Sequence, residues 1–161
     1  MTQPIQVRRA EPGEASAIAA LLYESFVEFK PLYTSAGFAV TTPGAEEVRV
    51  RMSEGPVWGA FCGGALVGTV SATLKGASVY IRGMAVVPAA RGTGTGSSLL
   101  VEVETWAASK GCNRLLLSTT PFLDAAIRLY EKSGFRRTDE APHDLFGTPL
   151  FTMEKKVSRE A

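Results

Sequence analysis

Apolar and polar positions alternate along "IQVRRA", residues 5–10, with the period of two that a half-buried strand requires. "EPG" then breaks the run and opens a helix, since proline is tolerated in a first turn. Ile18, Leu21, Leu22, Phe26 and Phe29 recur at helical spacing, and Pro31 stops that helix. "KPLYTSAGFAV" follows neither period and reads as an irregular connection. Thr42-Pro43 offers a cap and first position for a second helix through Met52, ended by Gly55-Pro56.

"VWGAF", "CGG" and "ALVGTVSATL" form a hairpin pattern with glycines at the turn. "SVYIRGMAVVP" is apolar enough at its end for a central, buried strand. Leu99, Leu100, Val103, Trp106 and Ala107 mark a helix ending near Lys110-Gly111, and "NRLLLSTT" is another buried strand. Pro121 starts a helix carrying Ala126, Ile127 and Tyr130, closed by Ser133-Gly134. "FRRT" and "TPLFTMEKKV" are the last strands, and "DEAPHDLFG" between them reads as a loop. The strand-loop-helix-strand-helix order from Val79 to Lys132 implies a parallel crossover beside antiparallel hairpins. An α/β chain with a mixed sheet and helices on both faces follows. No repeat or linker divides it, so residues 1–161 read as one domain.

The glycine-rich stretch "PAARGTGTGSSLL" lies between a central strand and a helix, where α/β sheets bind ligands. It is not a dinucleotide turn, because the third glycine of G-x-G-x-x-G would fall on Ser97. It is not a P-loop, because no lysine follows. Two readings stay open: a phosphate cradle of backbone N–H groups with Arg91 at its rim, or a flexible turn.

Composition narrows the classes. The chain has 161 residues, 17 basic and 16 acidic, for a formal charge of +1 without a run of either sign. That argues against a nucleic-acid binder or a membrane-surface binder. His143 is the only histidine, and Cys62 and Cys112 stand far apart, so no metal site is expected. The cysteines and the absence of an apolar signal core or spanning run make a soluble, cytoplasmic chain the expectation.

Two motifs carry a family resemblance. "MAVVPAARGTGTG" places Arg91, Gly94 and Gly96 in an Arg-x-x-Gly-x-Gly pattern after a strand, and "AIRLYEKSGF" stands intact downstream. On these the chain resembles the GNAT superfamily of N-acetyltransferases over nearly its whole length. The resemblance implies a mixed sheet of about seven strands flanked by about four helices. It also implies acetyl-CoA as cosubstrate and direct transfer to a primary amine in a ternary complex.

By the same resemblance, Arg91, Gly92, Thr93, Gly94, Thr95, Gly96 and Ser97 would wrap the pyrophosphate. Met84, Ala85 and Val86 would splay from the next strand and pair with the pantetheine arm. The Met84 backbone N–H would face the thioester carbonyl. Tyr130 would protonate the coenzyme A sulfur, a role a phenol can fill at neutral pH; a core aromatic is its alternative, since 126, 127 and 130 share a helical face.

The chain departs from the family at two places. Tyr80 stands where many members carry a glutamate base, which leaves the base unassigned. Leu123 stands where the family often has an asparagine on the pantetheine arm, and Ser118 or Thr119 would supply hydroxyls nearby. Glu24 and Glu28 share one face of the first helix, and His143 and Asp144 sit in the late loop; surface positions are their alternative. Tyr80 and Arg82 share strand parity with Met84, so Arg82 is a candidate for an anionic group on the acceptor, unless a bulge changes that parity. Phe26, Tyr33 and Tyr80 are candidates for an acceptor groove that Tyr23, Phe38 and Phe146 would extend, and core packing explains these aromatics as well. A small-molecule amine is the expected partner, without nucleic acid or membrane, and a homodimer is compatible with the family. A non-catalytic acyl-CoA sensor or scaffold is the competing reading.

Overall fold

The computed structural model describes residues 4–157. Strand β1 (Ile5–Arg9) leads through a 3-10 turn (Pro12–Glu14) into α1 (Ala15–Phe26). A second 3-10 segment (Val27–Leu32) precedes α2 (Ser35–Thr41) and α3 (Ala45–Glu54). Then come β2 (Val57–Cys62), β3 (Ala65–Lys75), β4 (Ser78–Val86), α4 (Thr95–Ser109), β5 (Arg114–Thr119) and α5 (Asp124–Lys132). Short strands β6 (Arg136–Arg137) and β7 (His143–Leu145) precede β8 (Thr148–Lys156). The sheet runs β1-β2-β3-β4-β5-β8-β6, with β7 beside β8. Among the described residues only the β4–β5 pair is parallel, as the crossover through α4 demands.

The sheet separates two apolar clusters. On one face, Leu99, Leu100, Val103 and Ala107 of α4 pack on Val70, Val79, Ile81, Leu115, Leu117 and Met153. On the other, Ile18, Leu21 and Leu22 of α1 pack with Val48 of α3, Val57 and Ala85. Fully burying each such aliphatic side chain contributes about 1.5–3 kcal/mol.

Among the described residues, eight strands and five α-helices stand where about seven and four were expected, and the differences have local causes. The stretch read as irregular holds α2, capped by Thr34, whose Oγ1 accepts from Gly37 N at 3.0 Å. Its small residues, Ser35 to Gly37, gave no apolar period. The last helix begins at Asp124 and not at Pro121, because residues 120–123 first make a turn closed by Leu123 N to Thr120 O. The late loop contains β7, joined to β8 by Phe146 and Gly147 at φ 50° and 93°. Positive φ at both residues is the twist a two-residue hairpin needs, here without the usual Asn-Gly signal.

One irregularity orients the site. Opposite β3, the register of β4 passes from Ser71↔Arg82 to Thr69↔Ala85, so Gly83 and Met84 bulge against a single residue. Gly83 takes φ 61°, the left-handed geometry glycine accepts most readily. Below the bulge Val79 and Ile81 face α4; above it Ala85 faces α1 and Met84 turns toward the α4 side.

Candidate active site

The parallel β4–β5 ladder ends at Ile81↔Leu117, while β4 runs on to Val86. The two strands therefore part, and the backbone groups of β4 on that side lose their strand partner. A cleft of about 600 Å³ opens there, bordered by Met84, Ala85 and Val86 on β4, the loop after it, and Leu123, Leu129 and Tyr130.

The loop supplies donors at one end. Gly92 and Gly94 have φ 77° and 84°, and a Cβ on either would meet nothing within 4 Å, so both are needed for conformation and not for room. The first bond of α4 runs from Ser98 N to Gly94 O at 3.0 Å. The N–H groups of Thr95, Gly96 and Ser97 are thus left without an intrahelical acceptor, at the positive end of the helix dipole. Such a terminus suits an anion, and the residues present fit a pyrophosphate. Arg91 at the rim is tied to the end of α1 and the 3-10 segment after it: Nη1 meets Glu28 Oε1 at 2.7 Å and Nη2 donates to Ser25 O at 3.1 Å.

Two loop residues have a structural part in holding the loop and its helix. Thr93 donates to the Ala90 carbonyl and meets the Thr95 hydroxyl at 2.8 Å, which pins the loop from inside. Gly96 does border it, yet a Cβ there would lie 2.6 Å from Leu129 Cδ2, so this glycine also lets α4 approach α5.

At the other end Tyr130 on α5 is 7% exposed and packs on Phe135 with ring centroids 5.8 Å apart. Burial, and secondarily the nearby Tyr33, push its phenol well above the ordinary tyrosine range, so it holds its proton at neutral pH. Tyr33 is itself pushed up to about 12 by burial, with the hydroxyls of Thr41 and Thr120 tempering the rise. Its ring meets Phe122 edge-on at 4.9 Å and Phe38 at 5.9 Å. Phe29 and Phe122, 6.4 Å apart, belong to this aromatic wall; the sequence pattern marked Phe29 only as an apolar position of the first helix and did not mark Phe122.

Of the acceptor candidates, Phe26 borders the cleft, while Tyr33 stands in a neighbouring hollow with Lys30 and Phe38. Tyr80 lies under the Lys75 ammonium, 4.7 Å from its ring centroid. Arg82 does not share a face with Met84. The bulge at Gly83 reverses the alternation, and Arg82 is instead bridged to Glu54 of α3. Thr119 is 5% exposed and lies opposite Phe151, on the α4–α5 side of β5 and outside the cleft lining. Ser118 Oγ meets His143 Nε2 at 3.3 Å, a contact between residues 25 apart that the sequence order hid. Asp144 caps its own hairpin, accepting from Gly147 N at 2.7 Å, and Glu24 is exposed.

Comparison with known proteins decides the family. The acetyltransferase (GNAT) family profile matches residues 19–135, from α1 to the end of the α5 motif. The chain belongs to the acetyltransferase (GNAT) family. A thialysine N-epsilon-acetyltransferase from Bos taurus is 33% identical over 88 residues, 55% of this chain and 49% of the relative. The aligned region thus spans about half the length of the curated relatives it matches. Among solved structures, this GNAT chain superposes on PaiA N-acetyltransferase from Thermoplasma acidophilum in complex with coenzyme A. The TM-score is 0.78 at 20% identity, covering 95% of this chain and 99% of that one. It also superposes on yncA from Salmonella typhimurium with its cofactor acetyl-CoA, at TM-score 0.74 and 23% identity, covering 98% and 96%. At these identities the likeness is one of fold.

Proposed function

We infer that this GNAT chain transfers an acetyl group from acetyl-CoA to a small primary amine, directly and within a ternary complex. The observation that carries this is one cleft holding a glycine loop of free N–H donors at one end and a proton-bearing phenol at the other. The cosubstrate, when bound, supplies an activated thioester whose thiolate is the leaving group. Gly92, Gly94 and the N–H groups of Thr95 to Ser97 hold its pyrophosphate, with Arg91 at the rim. The unpaired edge of β4 from Met84 to Val86 holds the pantetheine arm, and the Met84 N–H steadies charge on the carbonyl oxygen. Tyr130 gives its proton to the sulfur. Tyr33, Phe38 and Phe122 favour an acceptor with an apolar part, and thialysine is the first to try, given the Bos taurus relative.

Calorimetry of acetyl-CoA binding tests this on wild type and Gly94→Asp in parallel. The aspartate places a negative charge in the cradle; it meets no neighbour, but at φ 84° it costs about 1–2 kcal/mol. Urea unfolding of both proteins is therefore measured alongside, to separate lost affinity from lost fold. Affinity should fall about a hundredfold, the size expected when an anion site acquires a like charge. A folded wild type that does not bind acetyl-CoA would overturn the reading. Tyr80, at the position of the family's base, favours the sensor alternative. Binding without thiol release to any amine would establish that alternative.

A further inference from the structure

Transfer to an amine needs a neutral nucleophile, yet a primary amine near neutral pH is mostly ammonium, so a proton must leave it. The groups around the cleft are poor receivers. Tyr130 and Tyr33 are held protonated, Glu28 is bound to Arg91, and Glu54 is bound to Arg82. The chain has one imidazole, and histidine is the residue type that takes and gives a proton near neutrality.

That imidazole is well placed. Ser118 is the first residue of β5 beyond the last parallel pair, Ile81↔Leu117, and so stands at the root of the split. Leu115 and Leu117 face the α4 core, so alternation turns Ser118 to the opposite side of the sheet. His143 pairs with Leu150 of β8, which shares that side, and its Nε2 lies 3.3 Å from Ser118 Oγ. Two residues further along, the Thr120 hydroxyl is buried beside the Tyr33 phenol. Met84, Leu129 and Tyr130 line the cofactor cleft from the α4–α5 side, and Phe26, Phe29 and Ala85 line it from the α1 side. The α1 side carries this pair, and from it an attacking amine would reach the carbonyl.

We propose that Ser118 and His143 form the proton-accepting pair of the transfer, a deepening that rests on the transferase reading above. One ammonium proton passes to Ser118 Oγ as the Ser118 hydroxyl proton moves to His143 Nε2, and the imidazolium then releases it to solvent. The amine lone pair forms the C–N bond, and the C–S bond breaks with its electrons on sulfur, which takes the Tyr130 proton. The second proton leaving nitrogen restores Tyr130. The charged and titratable groups that the strands carry on this side of the sheet include Lys75 on β3, Tyr80 and Arg82 on β4, Arg114 on β5, Arg136 on β6, and Glu154 and Lys156 on β8. Arg114 and Glu154 neutralise one another at 3.2 Å, and Arg82 is neutralised by Glu54. On β7 itself, Asp144 alternates to the other side.

The test measures acetyl-CoA binding by calorimetry and thiol release from about pH 6 to about pH 10, a span that brackets amine ionisation. Thialysine and a panel of primary amines serve as acceptors for wild type, His143→Gln and Ser118→Ala. Both variants should bind acetyl-CoA as wild type does. His143→Gln should lose about a hundredfold in kcat/KM near neutrality and Ser118→Ala about tenfold. Both gaps should close toward high pH, where the amine sheds its own proton. A His143→Gln enzyme within about twofold of wild type, or a gap that stays constant with pH, would overturn the pair alone. Wild type that binds acetyl-CoA but releases no thiol would overturn the transferase reading and the pair with it.

Discussion

Strand β4 is two strands in one. From Ser78 to Ile81 it is bonded on both sides, to β3 and to β5, and its side chains Val79 and Ile81 are buried in the core over α4. From Arg82 to Val86 it keeps β3 only, and its free edge borders the cleft. The lower half satisfies every requirement of a central parallel strand. The upper half leaves backbone donors and acceptors without a partner, a state that costs free energy unless a ligand or water completes it. The difference teaches where stability and binding are located: both lie on the same strand, divided by the glycine bulge.

The division is testable by uncoupling the two quantities. Tyr130→Phe should have the largest effect, because it removes one hydroxyl from the cleft and keeps the ring against Phe135. Thiol release should fall about 10²- to 10⁴-fold, the range for loss of an acid-base group, while acetyl-CoA affinity stays within about threefold. Ile81→Ala belongs to the lower half and should do the reverse. Its side chain is 2% exposed, so truncation should cost about 2–5 kcal/mol in urea unfolding. Acetyl-CoA affinity of the folded fraction should not change. A loss of affinity that tracked the loss of stability would show that β4 is not divided in this way.

Gly83→Ala probes the joint between the halves. At φ 61° an alanine costs about 1–2 kcal/mol. Its Cβ would stand 2.8 Å from Arg51 Nη1, the far end of a flexible side chain that can move aside. Conformation therefore sets the size of the effect. Because the bulge aims Met84, kcat should fall several-fold here although stability drops less than in Ile81→Ala. Equal kcat in the two variants would mean that the bulge orients nothing.

The lower half of β4 and the glycine loop were legible in the sequence because their signals are local. An apolar run, glycines at alternate positions and the "AIRLYEKSGF" motif each lie within a dozen residues. Arg82 was misplaced because a bulge inserts one residue without any change of composition, and one residue reverses every later side chain. Thr119 and Thr93 were assigned to the cofactor by position; Thr119 lies on the core side of β5, and the Thr93 hydroxyl also pins its own loop. Strand β7 was missed because Phe146-Gly147 is an uncommon hairpin turn. The Ser118–His143 contact depends on that strand, so no local pattern announced it.

The smallest expected effect concerns Tyr33, whose ring closes the aromatic wall beside the split. Burial raises its phenol from the ordinary value of 10.0 to about 12. The folded protein thus holds this proton more tightly than the unfolded chain does, and the sign follows from linkage. The contribution is fully present below about pH 10 and is lost as the pH rises through about 12. Thermal melts of wild type and Tyr33→Phe should therefore differ little at neutral pH, by no more than the worth of one hydroxyl, about 1 kcal/mol. Above pH 10 wild type should lose stability faster than the variant. Tyr130 shifts in the same direction, so part of the alkaline loss should persist in Tyr33→Phe and shrink further in the double variant with Tyr130→Phe. Parallel melting curves across this range would mean that water reaches Tyr33 freely, and that the wall closes off the split less than its ring contacts imply.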